Sequence, residues 1–271
     1  MEMAERIQFE SNSFGKRIKS MLKVDFRRMF TTPLFYIMVG VCLVIPILIL
    51  VMTTMMDGTV TVDPSTGVET TMEAFDNTWQ AIGSVSREST GMDLSLTGMC
   101  NINMLYFFAA VFVCIFIAAD FRSGYAKNLF AVRSKKSDYV VSKTLAGFVG
   151  GVFLLLAFFV GTMVGGAIAG LPFDTGAAGV SGIVMCMLSK MFLVAVFVPI
   201  YVLMSVVGKQ KLWLSLLGSL CVGMLFFNIV PMMTPLDSTM VNVVLCLAGG
   251  ALFSVGLGAV SNIVLKKTSL V

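Results

Sequence analysis

The chain contains no histidine at all. That removes the usual general base, the usual metal ligand and any Ser-His or Cys-His nucleophile pair. His-Glu-x-x-His is therefore absent, and no acidic residue lies well inside an apolar run, so neither an enzyme nor a proton-relay transporter is expected. A Gly-x-x-x-x-Gly-Lys-Ser/Thr loop is missing too, and ATP hydrolysis by this chain is not expected. Charge is scarce: 13% of residues, against about 25% in soluble domains, which leaves too little polar surface to cover a water-soluble globule. The six cysteines (Cys42, Cys100, Cys114, Cys186, Cys221, Cys246) form no Cys-x-x-Cys pair and lie in or at the ends of apolar runs. They read as small buried hydrophobes, without a disulfide framework or a metal site.

What is abundant is apolar residue, 57% of 271, gathered in long blocks. The alternation of a membrane β-barrel is absent, so the expected fold is an all-α integral membrane protein, a single transmembrane domain of six helices. The runs are 33–56, 96–119, 144–170, 180–207, 212–230 and 240–265, against the ~20 residues that cross a bilayer core. The first begins only near Pro33, is too long for the apolar core of a signal peptide, and reads as an anchor that stays.

Charge then orients the runs. Seventeen of nineteen Lys and Arg residues fall before the first run, between runs two and three, between four and five, or after six. The other side carries Arg87 against nine acidic residues, among them Asp57, Asp63, Asp76 and Asp174. The positive-inside rule predicts both termini in the cytoplasm.

Residues 14–30 read as an amphipathic interfacial helix. Phe14, Ile18, Met21, Leu22, Phe26, Met29 and Phe30 share a face, and Lys16, Lys19, Lys23 and Arg27 lie mostly opposite, with Arg28 following. Asp25 falls on the apolar face, an anomaly for an interfacial helix; a merely basic topology signal is the alternative. In the external loop, 57–95, a turn cluster at 63–67 precedes Met72, Phe75, Trp79 and Ile82 at helical spacing, which predicts a short helix over the outer end of the bundle. Gly161-x-x-x-Gly165 and Gly166-x-x-x-Gly170 predict close helix packing in run three, and Gly249, Gly250, Ser254 and Gly258 do the same in run six. Pro46 and Pro199 are candidate kinks. Lys190, inside run four, is either a functional intramembrane group or a side chain that snorkels to the outer interface. Asn228 is a weaker candidate of the same kind.

The most informative segment is 120–143: Asp120-Phe121-Arg122-Ser123-Gly124-Tyr125-Ala126-Lys127-Asn128-Leu129-Phe130, then Arg133-Ser134-Lys135-Lys136-Ser137-Asp138-Tyr139, then Ser142-Lys143. An acid closes a run, a Gly follows four later, a short amphipathic helix comes next, and a basic turn leads through an aromatic to a Lys at the membrane edge. On charge alone this is an ordinary topology-fixing loop. With that opening and closure it resembles the permease subunits of bacterial type-2 ATP-binding cassette exporters, the small kind that handles antimicrobial peptides and drugs. Asp120 stands where that family more often has Glu.

The resemblance implies a coupling helix at about 121–132 that docks on a separate ATPase subunit. Asp120, Phe121, Gly124, Tyr125, Leu129 and Phe130 would belong to that docking segment, with Arg122, Lys127 and Arg133 as its polar contacts and the interfacial helix as a second contact. ATP and Mg would sit on the partner ATPase and no cofactor on this chain. The remaining partners would be a second permease subunit, identical or homologous, and the lipid of a bacterial cytoplasmic membrane, with no nucleic acid. Export of an amphiphilic or peptide-like passenger (antimicrobial peptide, toxin or drug) is the function implied. A non-transporting sensor or immunity protein that binds a peptide is the alternative.

Overall fold

The computed structural model describes residues 14–62, 69–71, 74–83, 101–132, 136–227 and 229–267. Helix dominates, as a chain with few polar residues to spare requires: in hydrocarbon each backbone N–H and C=O must find its partner within the segment. Among the described residues, five helices are long and apolar enough to cross a membrane.

The first helix, α1 (Phe14–Thr31), buries Met21, Asp25 and Met29, one stripe at i, i+4 and i+8, against the rest of the bundle. It ends where Thr31 and Thr32 turn their hydroxyls back onto the carbonyls of Arg27 (2.8 Å) and Arg28 (2.6 Å), satisfying acceptors that the next turn would have used. Thr32 is extended and Pro33 opens α2 (Pro33–Met55) at once, the position where a missing N–H does no harm. Past α2, two three-residue strands, β1 (Val60–Val62) and β2 (Glu69–Thr71), pair antiparallel with Val60 opposite Thr71.

A 3-10 turn at Thr78–Ala81 stands where the Trp79 periodicity predicts a helix; Met72 and the cluster 63–67 lie outside the described residues. Phe75, Trp79 and Ile82 are all buried. The turn is too tightly pinned to extend: Thr78 N–H donates to Pro172 O (3.1 Å) and the Asn77 side chain donates to Asp174 O (2.5 Å). Trp79 stacks on Phe159 (6.3 Å).

A second 3-10 turn, Ile102–Met104, leads into α3 (Leu105–Arg122); residues 96–100 of the expected second run lie outside the described ones. Gly124, at φ +73°, reverses the chain into the short helix α4 (Tyr125–Val132). The next helix, α5 (Lys136–Ala169), begins eight residues before the expected span, because Asp138, Ser142 and Lys143 are held by contacts described below. It stops at Gly170, φ +72°. Then follow α6 (Gly179–Gly208), α7 (Leu212–Phe227), α8 (Ile229–Met233) and α9 (Met240–Lys267). α7 is apolar but, at 16 residues, shorter than the other five.

Helices α3 and α6 form the centre, with 67% of their apolar windows buried, whereas α9 has 17%. α2 packs on α5 and α9 on α6. The glycines predicted to seat helices closely do so along α5. A methyl group at Gly161 would overlap Leu43 O, and one at Gly165 would sit 2.8 Å from Ile47 Cα. On α9, Gly250 approaches Ala195 and Ser254 donates to Ala195 O (3.1 Å), while Gly258 meets nothing. Pro46 and Pro199 both lie inside continuous helices. The described cysteines are free thiols: Cys42, Cys114, Cys186 and Cys246 are buried, and Cys221 is exposed on α7, where burial was expected.

The α2–α5 seam yields a prediction. Gly161→Val is expected to destabilise the detergent-solubilised protein by about 1–3 kcal/mol, the usual cost of overpacking. Gly40→Val, where the added carbon meets nothing within 4 Å, is expected to change it by less than ~0.5 kcal/mol. Thermal unfolding of both variants beside the parent checks this.

Candidate functional site

Two clusters of buried polar side chains lie at opposite ends of the bundle. At the end where α1, α4 and the C-terminus of α9 meet, called here the basic end, four charged groups are gathered. Asp25 of α1 and Asp120 of α3 are fully buried, and so is Lys143 of α5. Lys143 Nζ lies 2.7 Å from Asp25 Oδ1 and 2.7 Å from Asp120 Oδ2. Arg28 of α1 reaches the other Asp120 oxygen at 2.6 Å. Ser142 Oγ donates to Asp25 Oδ2 (2.5 Å) and Tyr139 Oη to Asp120 Oδ2 (3.0 Å). Two carboxylates face two cations, so the cluster is neutral, which is what makes its burial tolerable.

Aromatic faces close the cluster. Lys143 Nζ sits 4.1 Å from the centre of the Phe116 ring, and the Arg28 guanidinium 4.3 Å from that of Tyr125. Burial disfavours the charge on Arg28, but Asp120 outweighs it and the Arg28 pKa lies above its ordinary value. Burial pushes the Tyr125 phenol up, and Asp25 and Asp120 add to this. Arg17 pairs with Asp138 at 2.8 Å, a second ion pair between α1 and α5. Lys136 Nζ donates to Leu265 O (2.8 Å), and Arg122 Nε to Gln210 O in the α6–α7 link (3.3 Å). The whole end is thus fastened by side chains of α1, α3 and α5.

The residues singled out in the sequence divide between inside and outside. Phe121 is buried, Leu129 and Phe130 are half-buried against the chain's own core, with Phe130 edge-on to Tyr139 at 5.2 Å, and Tyr125 is half-buried against Arg28. Arg122, Lys127 and Asn128 are exposed, as are Lys16, Lys19, Lys23 and Arg27 on α1; Arg133 lies outside the described residues. Arg28, grouped with the exposed bases by sequence, belongs to the buried cluster instead. Asp25 joins Ser142 and Lys143 of the 120–143 segment although no motif marks it for the site. The available signal was Asp25 itself, an acid on an otherwise apolar helix face.

At the far end, Lys190 of α6 is fully buried. It does not snorkel: Nζ donates to Asn103 Oδ1 (2.7 Å) and Thr234 Oγ1 (2.8 Å). Tyr106 Oη donates to the Lys190 carbonyl (3.0 Å) and stacks on Phe197 (4.6 Å). Asn228 lies outside the described residues. Among the described residues no three His, Cys, Asp or Glu side chains converge on a metal position. What the basic end offers is mechanical, a joint that holds α1, α3 and α5 together.

Fold and clusters together define a helical, multi-pass membrane protein. No family model, curated protein or solved structure matches the chain.

Unequal responses to charge removal are expected at the basic end. Lys143→Met strands Asp25 and is expected to destabilise by about 3–5 kcal/mol. Adding Asp25→Leu leaves the Arg28–Asp120 pair balanced, and the double variant is expected to be more stable than Lys143→Met alone. Unfolding midpoints of the three proteins in one detergent decide the matter.

Proposed function

We propose that the chain is the transmembrane subunit of a type-2 ATP-binding cassette exporter, with six crossings, both termini in the cytoplasm of a bacterium, and the ATPase on a separate polypeptide. The observation that carries the reading is the neutral buried cluster. It ties α1, the α3–α4 turn and the start of α5 into one block at the place where the sequence resembles the coupling segment of that family. A segment that passes the motion of an ATPase into membrane helices has to be stiff, and ion pairs at 2.6–2.7 Å around the buried Asp25, Asp120 and Lys143 supply that stiffness.

The sixth crossing is supported by what lies at either end of α7 and α8. Gln210, just before α7, is bonded to Arg122 at the basic end, and Thr234, just after α8, is bonded to Lys190 at the far end. The 16 residues of α7 are about 24 Å long, so α8 completes the traverse.

With the aromatic face of α4 half-buried, docking falls mainly to the outward residues, Arg122 at the end of α3 and Lys127 and Asn128 of α4, flanked by the exposed bases of α1. An acidic surface on the ATPase is the complement. The passenger, amphiphilic or peptide-like, would move between this subunit and a second permease subunit.

Tagged protein drawn from native membranes in mild detergent is expected to bring down an ATPase subunit. Lys127→Glu, at an exposed position of α4, is expected to lose it while keeping the parent's melting temperature. An ATPase retained by the charge-reversed variant would move the docking face elsewhere. Absence of any ATPase across several detergents would sink the exporter reading and leave a peptide-binding sensor or immunity protein.

A further inference from the structure

The two buried lysines are built differently. Lys143 faces two carboxylates at 2.7 Å. Lys190, as deeply buried, forms no ion pair among the described residues: its Nζ donates to the neutral oxygens of Asn103 and Thr234, with the Cys186 and Cys246 thiols as further polar neighbours. Both oxygens are true acceptors. The Thr234 hydroxyl spends its proton on Val230 O (2.7 Å), so its lone pairs face the ammonium, and Asn103 presents its amide oxygen. Two acceptors satisfy two of three N–H donors and none of the charge. An uncompensated cation in an apolar span is costly, a cost that a methionine of similar length would avoid.

The neighbours that hold Lys190 come from the ends of helices rather than their middles. Asn103 lies in the 3-10 turn before α3, and Thr234 follows α8. Gly83, after the Trp79 turn, is packed against Leu236 and Cys186, one helical turn from Lys190. Three separately connected segments, α6, the Asn103 turn and the stretch after α8, therefore meet at one ammonium, with the Gly83 segment packed one turn away, and separation of these helix ends would uncover it without unfolding any helix.

Resting on the exporter reading, we infer that Lys190 is the binding point for an anionic group, a carboxylate or phosphate, at the head of an amphiphile. Asn103 and Thr234 hold the ammonium while the far end is sealed, as in this structure, and give it up to the anion when α6, the Asn103 turn and the segment after α8 part. A charge left without a counter-ion in a low-dielectric site attracts one far more strongly than the same charge in water. A neutral, merely structural polar contact would show no preference between an acid and its amide.

The test uses the full chain, with whatever ATPase accompanies it, in phosphatidylcholine vesicles. The probe is one amphipathic peptide made with a C-terminal carboxylate and again with a carboxamide, and binding is read by fluorescence anisotropy against empty vesicles. The parent is expected to bind the carboxylate form about tenfold more tightly. Lys190→Arg is expected to keep the preference and Lys190→Gln to lose it. Asn103→Asp places a carboxylate against Nζ; it is expected to raise the melting temperature and abolish the preference, and it decides the matter should Lys190→Gln fail to fold. Equal binding of the two peptides by the parent, or a preference that survives Lys190→Gln or Asn103→Asp, overturns the inference. A preference present in phosphatidylcholine and lost in phosphatidylglycerol-rich vesicles supports the site and names the lipid headgroup as its anion. A preference kept in a preparation that yields no ATPase preserves the site and overturns the exporter reading.

Discussion

A charge placed in hydrocarbon must meet an opposite charge or be held by donors and acceptors that replace its water, and the basic end of this protein is arranged around that requirement. Lys143 is the pivot. Its helix carries no nearby acid that could neutralise it from the same face, so the carboxylates arrive from α1 and α3, 118 and 23 residues away in sequence. Meeting that demand fixes where α1 lies, why α5 is helical from Lys136 onward, and how the α3–α4 turn is seated. Remove the ammonium and three helices lose their reason to converge.

How much of this was legible beforehand differs by level. The apolar runs announce themselves through composition, because a helix bathed in lipid needs an unbroken stretch of apolar side chains, and charge asymmetry adds their order. Gly161 and Gly165 were readable as a close seam for a local reason: a missing Cβ has few uses other than close approach or an unusual turn. The buried cluster was only half readable. Asp25 stood out on an apolar face, yet its partners are common residues at distances no local rule spans. Arg28 looked like one more base among Lys19, Lys23 and Arg27, and only three-dimensional proximity to Asp120 separates it from them.

The aromatic face of α4 illustrates a second limit. An amphipathic helix states that something covers its apolar side without stating what. Tyr125, Leu129 and Phe130 suit a partner's surface as well as they suit the chain's own core, and part of each is taken up within the chain, Leu129 and Phe130 by the core and Tyr125 by Arg28. Lys190 shows the same asymmetry at the far end. Its burial could be weighed from its place in an apolar run, whereas Asn103 and Thr234 sit in short turns with no pattern to mark them.

The junction between α1 and α2 has a mechanical consequence. Thr31 and Thr32 close the last turn of α1 on itself and Pro33 starts the next helix immediately, so the joint has no slack. Three ion pairs spread along α1, from Arg17 through Asp25 to Arg28, keep it from pivoting on any one of them. A push on the exposed bases of α1 therefore reaches the head of α2 as a translation, with α5 carried along in the same stroke.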